Sequence, residues 1–319
     1  MLAMLLRRLG LGAITVWIVS VIIFVGVEIL PGDACTAFLE REAKGKLLEN
    51  CREDLGLNRS AITRYAEWAG NALRGDLGVS ANGQKQISEL VGFRLRNTLL
   101  LASGAMLVGI PLALFLGIVA ALWRDRPVDI MVSTTAIAAM TIPEFVSATL
   151  LILVFSVWLG WVPGIVLTSA NAPLAEFFPE VLLPIGVLTL VMTAHILRTV
   201  RSSVIETMAS DYAQLALLKG VPYWQIVFRH ILPNALLPTI NVVALTIAWL
   251  LGGVVVIETV FNYPGLGRMM IDSISDRDLP VTQAIALIIA TVYVGVNLLA
   301  DLLTMIANPR LRTVHMRRS

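Results

Sequence analysis

Long apolar runs separated by shorter polar stretches dominate this chain and set its expected fold. Runs close to the ~20 residues that cross a bilayer occupy 9–30, 98–122, 130–159, 181–197, 236–257 and 281–300. The fourth is the shortest, and the third is long and interrupted by Pro143. None alternates with period two, so a closed barrel of short strands is not expected. Helices satisfy their own backbone in lipid and are the expected element. The pattern predicts an all-α membrane protein with six transmembrane helices. It divides into a first helix within 1–30, a polar loop at 31–97, a five-helix core at 98–305 and a tail at 306–319.

The polar stretches carry patterns of their own. "SDYAQLALLKGVPYWQIVFRHILPNALLP" at 210–238 interrupts the second half of the chain. Ser210 suits an N-cap, and Asp211 in the first turn suits the helix dipole. Lys219 falls in the last turn, Gly220 fits a left-handed stop, and Pro222 fits the first position of a following helix. The expectation is a helix at 211–219, a turn at 220–221 and a second helix at 222–232. Small residues at Ala213 and Ala216 would let a partner's surface approach. In the loop at 31–97, residues 60–73 read as a short amphipathic helix ended by Gly75, with Tyr65 and Trp68 anchoring it at the membrane interface. A cover for the outer mouth and a docking surface for a soluble partner are both open readings of that helix.

Composition agrees with the pattern. The chain is 57% hydrophobic and only 14% charged, where a soluble domain carries roughly a quarter charged residues. Arg7 and Arg8 precede the first apolar run as in a signal peptide. That run is longer than a typical signal core and no small-x-small cleavage pattern follows, so a retained helix is expected. With the N-terminus inside, the inner segments hold twelve of the 24 basic residues, including Arg124, Arg126, Arg198 and Arg201. The short outer loops at 160–180 and 258–280 hold only Arg268 and Arg277. Both termini are therefore expected to be cytoplasmic. Net charge is +2, and no basic run is interleaved with aromatics, so nucleic acid is not an implied partner. The two cysteines, Cys35 and Cys51, share the loop at 31–97. If that side is oxidising they can form a disulfide closing a loop of about 15 residues, worth ~3 kcal/mol. Two unrelated thiols are the alternative.

Candidate chemistry is sparse. The chain lacks the Gly-x-x-x-x-Gly-Lys-Ser/Thr phosphate loop, so ATP is not expected to bind here. It lacks the paired ionisable residues deep in its spans that a proton-coupled carrier would need. The three histidines, His195, His230 and His315, show no metal-ligand spacing. Glu144, just after Pro143, should face a partner or a wet cavity rather than lipid. Lining a transport path and bonding to a neighbouring span are both open for it. Glu258, followed by "NYPGLG", can shape an outer gate or serve as a turn residue. Gly104, Gly109, Gly117, Ala120, Ala121, Gly252 and Gly253 permit close helix packing.

Asp-Tyr-x-x-x-Ala-x-x-Lys-Gly at 211–220, followed by Arg-His-x-Leu-x-Asn-Ala-x-x-Pro at 229–238, resembles the cytoplasmic signature of bacterial ABC importer permeases. The chain departs from that signature at Gln214, Leu215 and Leu218. "LPGD" at 30–33, "GDLGVS" at 75–80, "RNTLLL" at 96–101, "IPEF" at 142–145 and "LGWVP" at 159–163 fit the dipeptide/oligopeptide class of that family, as does "GGVVVIETVFNYPGLGRMMIDSISDRDLPV" at 252–281. The cysteine pair is outside the family pattern. The resemblance implies a type I importer permease fold in the bacterial inner membrane, with a large periplasmic loop after the first helix. It implies a coupling helix at 210–222, in which Asp211, Tyr212, Ala216, Lys219, Gly220 and Pro222 meet an ATPase subunit. Pro143, Glu144 and Glu258 are then candidates for the path or its gate. Implied partners are a second homologous permease, two ATPase subunits that hold the ATP and Mg, a periplasmic substrate-binding protein and membrane lipid. The chain itself would be non-catalytic and without cofactor. A peptide is the expected cargo, with nickel, opines, glutathione and oligosaccharides as alternatives within the class. A secondary transporter or channel working alone is the alternative from a different class.

Overall fold

A computed structural model describes residues 2–29, 35, 44–54, 58–81 and 85–307. Among these the chain is helical throughout, with one isolated β-bridge between Val79 and Gln86. The helices are α1 (Leu2–Ile29), α2 (Gly45–Asp54), α3 (Ala61–Leu73), α4 (Ile87–Leu122), α5 (Pro127–Thr141) and α6 (Glu144–Leu151). They continue as α7 (Leu182–Met208), α8 (Asp211–Leu218), α9 (Tyr223–Ile226), α10 (Leu232–Val260), α11 (Leu266–Ser275) and α12 (Leu279–Ala307). Five described helices are long and apolar enough to cross a membrane, or six if α5 and α6 form one broken span.

The third apolar run, at 130–159, is broken at its proline. α5 and α6 meet at a bend of 110°. Ile142 is extended (φ −77°, ψ 126°) and Pro143 caps α6, because a proline disfavours helical geometry in the residue before it. α6 then widens into a π-helix at Ile152–Trp158. α4 begins at Ile87, well ahead of the apolar run, because polar residues such as Glu89, Arg94 and Arg96 continue the same helix.

α7 is the centre of the bundle and the most enclosed span, packing mainly on α4 and α10 and also on α5. α1 packs against α12 at the periphery and is the least enclosed. Small residues explain the α4–α7 approach. On α4, Ala102, Ala105, Gly109, Ala113 and Gly117 are buried at spacings of three or four residues, which places them on one face. A Cβ at Gly117 would stand 2.9 Å from the Leu197 carbonyl oxygen and 2.7 Å from Val200 Cβ. Gly104 is crowded by Ile185 in the same way. The side-chain surroundings of Gly252 and Gly253 lie outside the described residues.

Outside the bundle, α3 lies against α1. Ser60 caps it by accepting the Thr63 N–H. Tyr65 and Trp68 pack on Phe24 of α1 with ring centroids 5.4 and 6.1 Å away. The Tyr65 hydroxyl shares a 2.8 Å hydrogen bond with Ser20, and Arg64 pairs with Glu28. The aromatic residues therefore anchor the helix to protein, because α1 offers a matching apolar face. Cys35 is buried and disulfide-bonded. The side chain of Cys51, in α2, falls outside the described residues.

Candidate functional site

The 210–232 stretch folds as a short helix closed by a hydrogen-bonded stop. Val221 N–H donates to the Ala216 carbonyl (3.2 Å) and Gly220 N–H to the Leu217 carbonyl (3.0 Å). Gly220 has φ +76°, the left-handed conformation that this closure requires. Three details differ from expectation. Ser210 occupies the N-cap position, but its hydroxyl donates back to the Thr207 carbonyl instead of capping α8. Pro222 is the N-cap of α9, one residue ahead of the helix. The second helix is a single turn that loosens into a π-helix at Val227–Ile231 and runs straight into α10. Pro233 lies just beyond and supplies no N–H to the ladder, while Asn234 Nδ2 donates to the His230 carbonyl at 2.7 Å.

The two faces of α8 are distinct. Ala213 is buried and Ala216 half-buried against the main core. Their small size lets α8 approach its own bundle, which corrects the expectation that they face a partner. Asp211, Tyr212, Lys219, Gly220 and Pro222 are exposed. Exposed apolar side chains accompany them: Leu215, Leu217 and, 83% exposed, Leu218. Next to these, Tyr223, Trp224 and Phe228 form an exposed aromatic step, with Trp224 and Phe228 stacked at 6.0 Å. An isolated soluble helix would not leave so much apolar surface together.

Two ties join the spans that flank this element. Arg201 of α7 makes two hydrogen bonds, 2.6 and 2.7 Å, to Asp129 at the start of α5. Asp129, whose side chain is 3% exposed, also accepts from the Asp125 N–H and the Ser133 hydroxyl. Ser203 donates to the Ala235 carbonyl of α10 at 2.7 Å. Sequence reasoning missed Asp129 because its partner lies 72 positions away. A carboxylate beside the third apolar run was the available signal.

The path candidates separate. Glu144 opens α6 and is half-buried, and its Oε2 is buried with no hydrogen-bond partner. It neighbours His195 of α7 electrostatically. A cavity of about 530 Å³ opens beside His195, lined by Arg198, Thr199 and Ser202 of α7 and by Leu245 and Thr246 of α10. Pro143 is exposed at the bend.

Glu258 lies elsewhere, away from the cavity beside His195. It is fully buried and accepts from the Thr98 hydroxyl (2.5 Å) and the Arg268 N–H (3.0 Å). Thr98 in turn accepts the Leu266 N–H at 2.8 Å. Two N–H groups in the first turn of α11 thus find acceptors on α4 and α10, as a helix start requires. A Cβ on Gly265 would collide with the Glu258 carboxylate. Tyr263 donates its hydroxyl to the Asn97 carbonyl (2.8 Å), and burial, with the nearby Glu258 charge, pushes its phenol above the usual range. Glu258 clasps the start of α11 to α4 and α10, in keeping with the turn role that the sequence left open beside the gate.

The comparisons with known proteins bear on the whole chain. Residues 113–313 match the family described as binding-protein-dependent transport system inner membrane component, and residues 1–101 match its N-terminal companion. The chain belongs to this family. It is 36% identical over 313 residues to a glutathione transport system permease protein of Escherichia coli, covering 98% of this chain and 99% of that one. It is 34% identical over 308 residues to a probable peptide ABC transporter permease protein of Sinorhizobium fredii, covering 96% and 98%. A crystal structure of an amino acid ABC transporter with histidines shares the fold, with TM-score 0.54 at 18% identity over 68% of this chain and 94% of that one. The protein is thus a multi-pass permease component of a binding-protein-dependent ABC importer of the cytoplasmic membrane. Components of this kind are non-catalytic.

Proposed function

We propose that this permease moves small peptides, glutathione among them, and that α8 and α9 form the surface through which ATP hydrolysis in partner subunits drives it. The relatives named for glutathione and peptide transport support the cargo class. Nickel, opines and oligosaccharides are the alternatives. The observation that carries the coupling assignment is the hydrogen-bond-closed helix α8, which holds Tyr212, Lys219 and Gly220 outward beside exposed Leu215 and Leu218. Asp211 and Pro222 bound this surface, and Ala216 sets its depth against the bundle.

In this proposal both termini are cytoplasmic, as the basic residues favour, and the loop at 31–97 is periplasmic. There a Cys35–Cys51 bridge would restrain it. A second homologous permease completes the path, two ATPase subunits hold ATP and Mg, and a periplasmic binding protein delivers cargo. Pro143 and Glu144 are proposed to belong to the path, supported by the buried, unpartnered Glu144 Oε2 and by its neighbour His195, which lines a cavity. Leu218→Asp tests the docking surface. The side chain is too exposed to support the fold, yet a buried charge in an interface is costly. The variant should reach the membrane and lose its ATPase subunits on co-purification. Retained ATPase with normal ATP-driven uptake would overturn the assignment.

A further inference from the structure

The cavity between α7 and α10 has chemistry that the bundle's packing does not use. Its volume, about 530 Å³, falls within the range of roughly 300–1,000 Å³ that holds small ligands. His195, Arg198, Thr199 and Ser202 recur at helical spacing and so share one face of α7, and all four line it. Arg201, on the same helix, is consumed by Asp129. Arg198 is not: among the described residues its guanidinium has neither ion pair nor hydrogen bond. Arg198 is exposed and lines the cavity, so its guanidinium is open to a solute there.

The hydroxyls tell the same story. Thr207, Thr246 and Thr291 turn back to the carbonyl four residues earlier, at 2.7 to 2.8 Å. Thr199 and Ser202 have no such bond. A guanidinium flanked by two uncommitted hydroxyls is a donor set for a carboxylate, which takes up to four hydrogen bonds. Glu144, the neighbour of His195, leaves Oε2 buried without a donor. The cavity face of α7 thus offers hydrogen-bond donors, and α6 offers an unused acceptor next to His195.

We infer that this cavity is a subsite for the carboxylate end of a zwitterionic, peptide-like solute, held by Arg198 with Thr199 and Ser202. The inference rests on the permease reading above and assigns to this chain a substrate contact of its own. A lipid phosphate offers similar acceptor chemistry, so the test must separate the two sources.

Ser202→Cys in the full-length chain in lipid nanodiscs provides a reporter that needs no transport. Relative to free cysteine, the ratio of its rates with an anionic and a cationic methanethiosulfonate should rise roughly tenfold, given a nearby unpaired guanidinium. Trialanine at millimolar concentration should slow the labelling, and its C-terminal amide should not. Arg198→Gln in the same background should abolish both effects, and Arg198→Lys should restore the charge preference. A rate ratio no higher than that of free cysteine, or protection by acid and amide alike, would overturn the subsite. Repeating the series in phosphatidylcholine and phosphatidylglycerol nanodiscs settles the source, since protection that follows the lipid and not the peptide also overturns it. If labelling behaves as expected but ATP-driven uptake is absent from the assembled importer, the transport reading falls and the subsite stands.

Discussion

Replacing Gly220 by valine isolates what the left-handed stop contributes. The residue sits at φ +76°, and a Cβ there would meet no atom within 4 Å. Collision therefore adds nothing, and the whole effect is conformational. A left-handed L-residue costs ~1–2 kcal/mol, with a β-branched side chain at the upper end. That corresponds to roughly a 5–30-fold loss in the population of the closed turn. The Val221 N–H, which bonds the Ala216 carbonyl, reports this directly. Its hydrogen exchange should accelerate by about that factor, while amides in α7 keep their protection. Asparagine tolerates the left-handed region, so Gly220→Asn should cost a fraction of the valine effect. On the coupling proposal, ATP-driven uptake in proteoliposomes should fall in the order Gly, Asn, Val, with equal amounts of permease in the membrane. Unchanged exchange at Val221 in the valine variant, or asparagine as damaging as valine, would refute the conformational argument.

The helix contacts give sharper contrasts. Gly117→Ala forces a methyl to within 2.9 Å of the Leu197 backbone carbonyl and should destabilise the bundle by ~1–3 kcal/mol. Gly109→Ala meets only the flexible Met192 Cε first and should cost less than ~1 kcal/mol. Detergent unfolding midpoints rank the two, and equal midpoints would sink the distinction. Asp129→Leu leaves the Arg201 guanidinium, 26% exposed, without its carboxylate and should cost about 1–3 kcal/mol, the scale of hydrogen bonds to charged groups. Adding Arg201→Leu should recover most of that loss, and a double variant no better than the single would show that the pair itself is not the source.

What the sequence revealed and what it hid divide along one physical line. Local signals were legible. Span lengths follow from apolar runs, and the stop at Gly220 follows from the need for a residue that accepts positive φ. The approach of α4 to α7 follows from Gly109 and Gly117. These features depend on residues within a helical turn or two of each other. The features that went unseen depend on partners far apart in the chain. Thr98 and Glu258 are separated by 160 positions, and Asp129 and Arg201 by 72. Composition shows that such groups exist but not which will meet.

Glu258 shows how this misleads. A carboxylate at the end of an apolar span reads as a candidate gate because burying it alone is costly. The cost is met by the Thr98 hydroxyl and an N-terminal N–H of α11, and nothing in "ETVFNYPGLG" announces either donor. Gly265 is the one local trace, because only a glycine leaves room for that carboxylate. Arg198 is the complementary case. It entered the sequence argument only as one of twelve inner basic charges, indistinguishable from Arg201 three positions on. The fold separates them by giving Arg201 a carboxylate and leaving Arg198 beside a cavity. A charge becomes a candidate for function when the fold supplies its neighbour with a partner and withholds one from it.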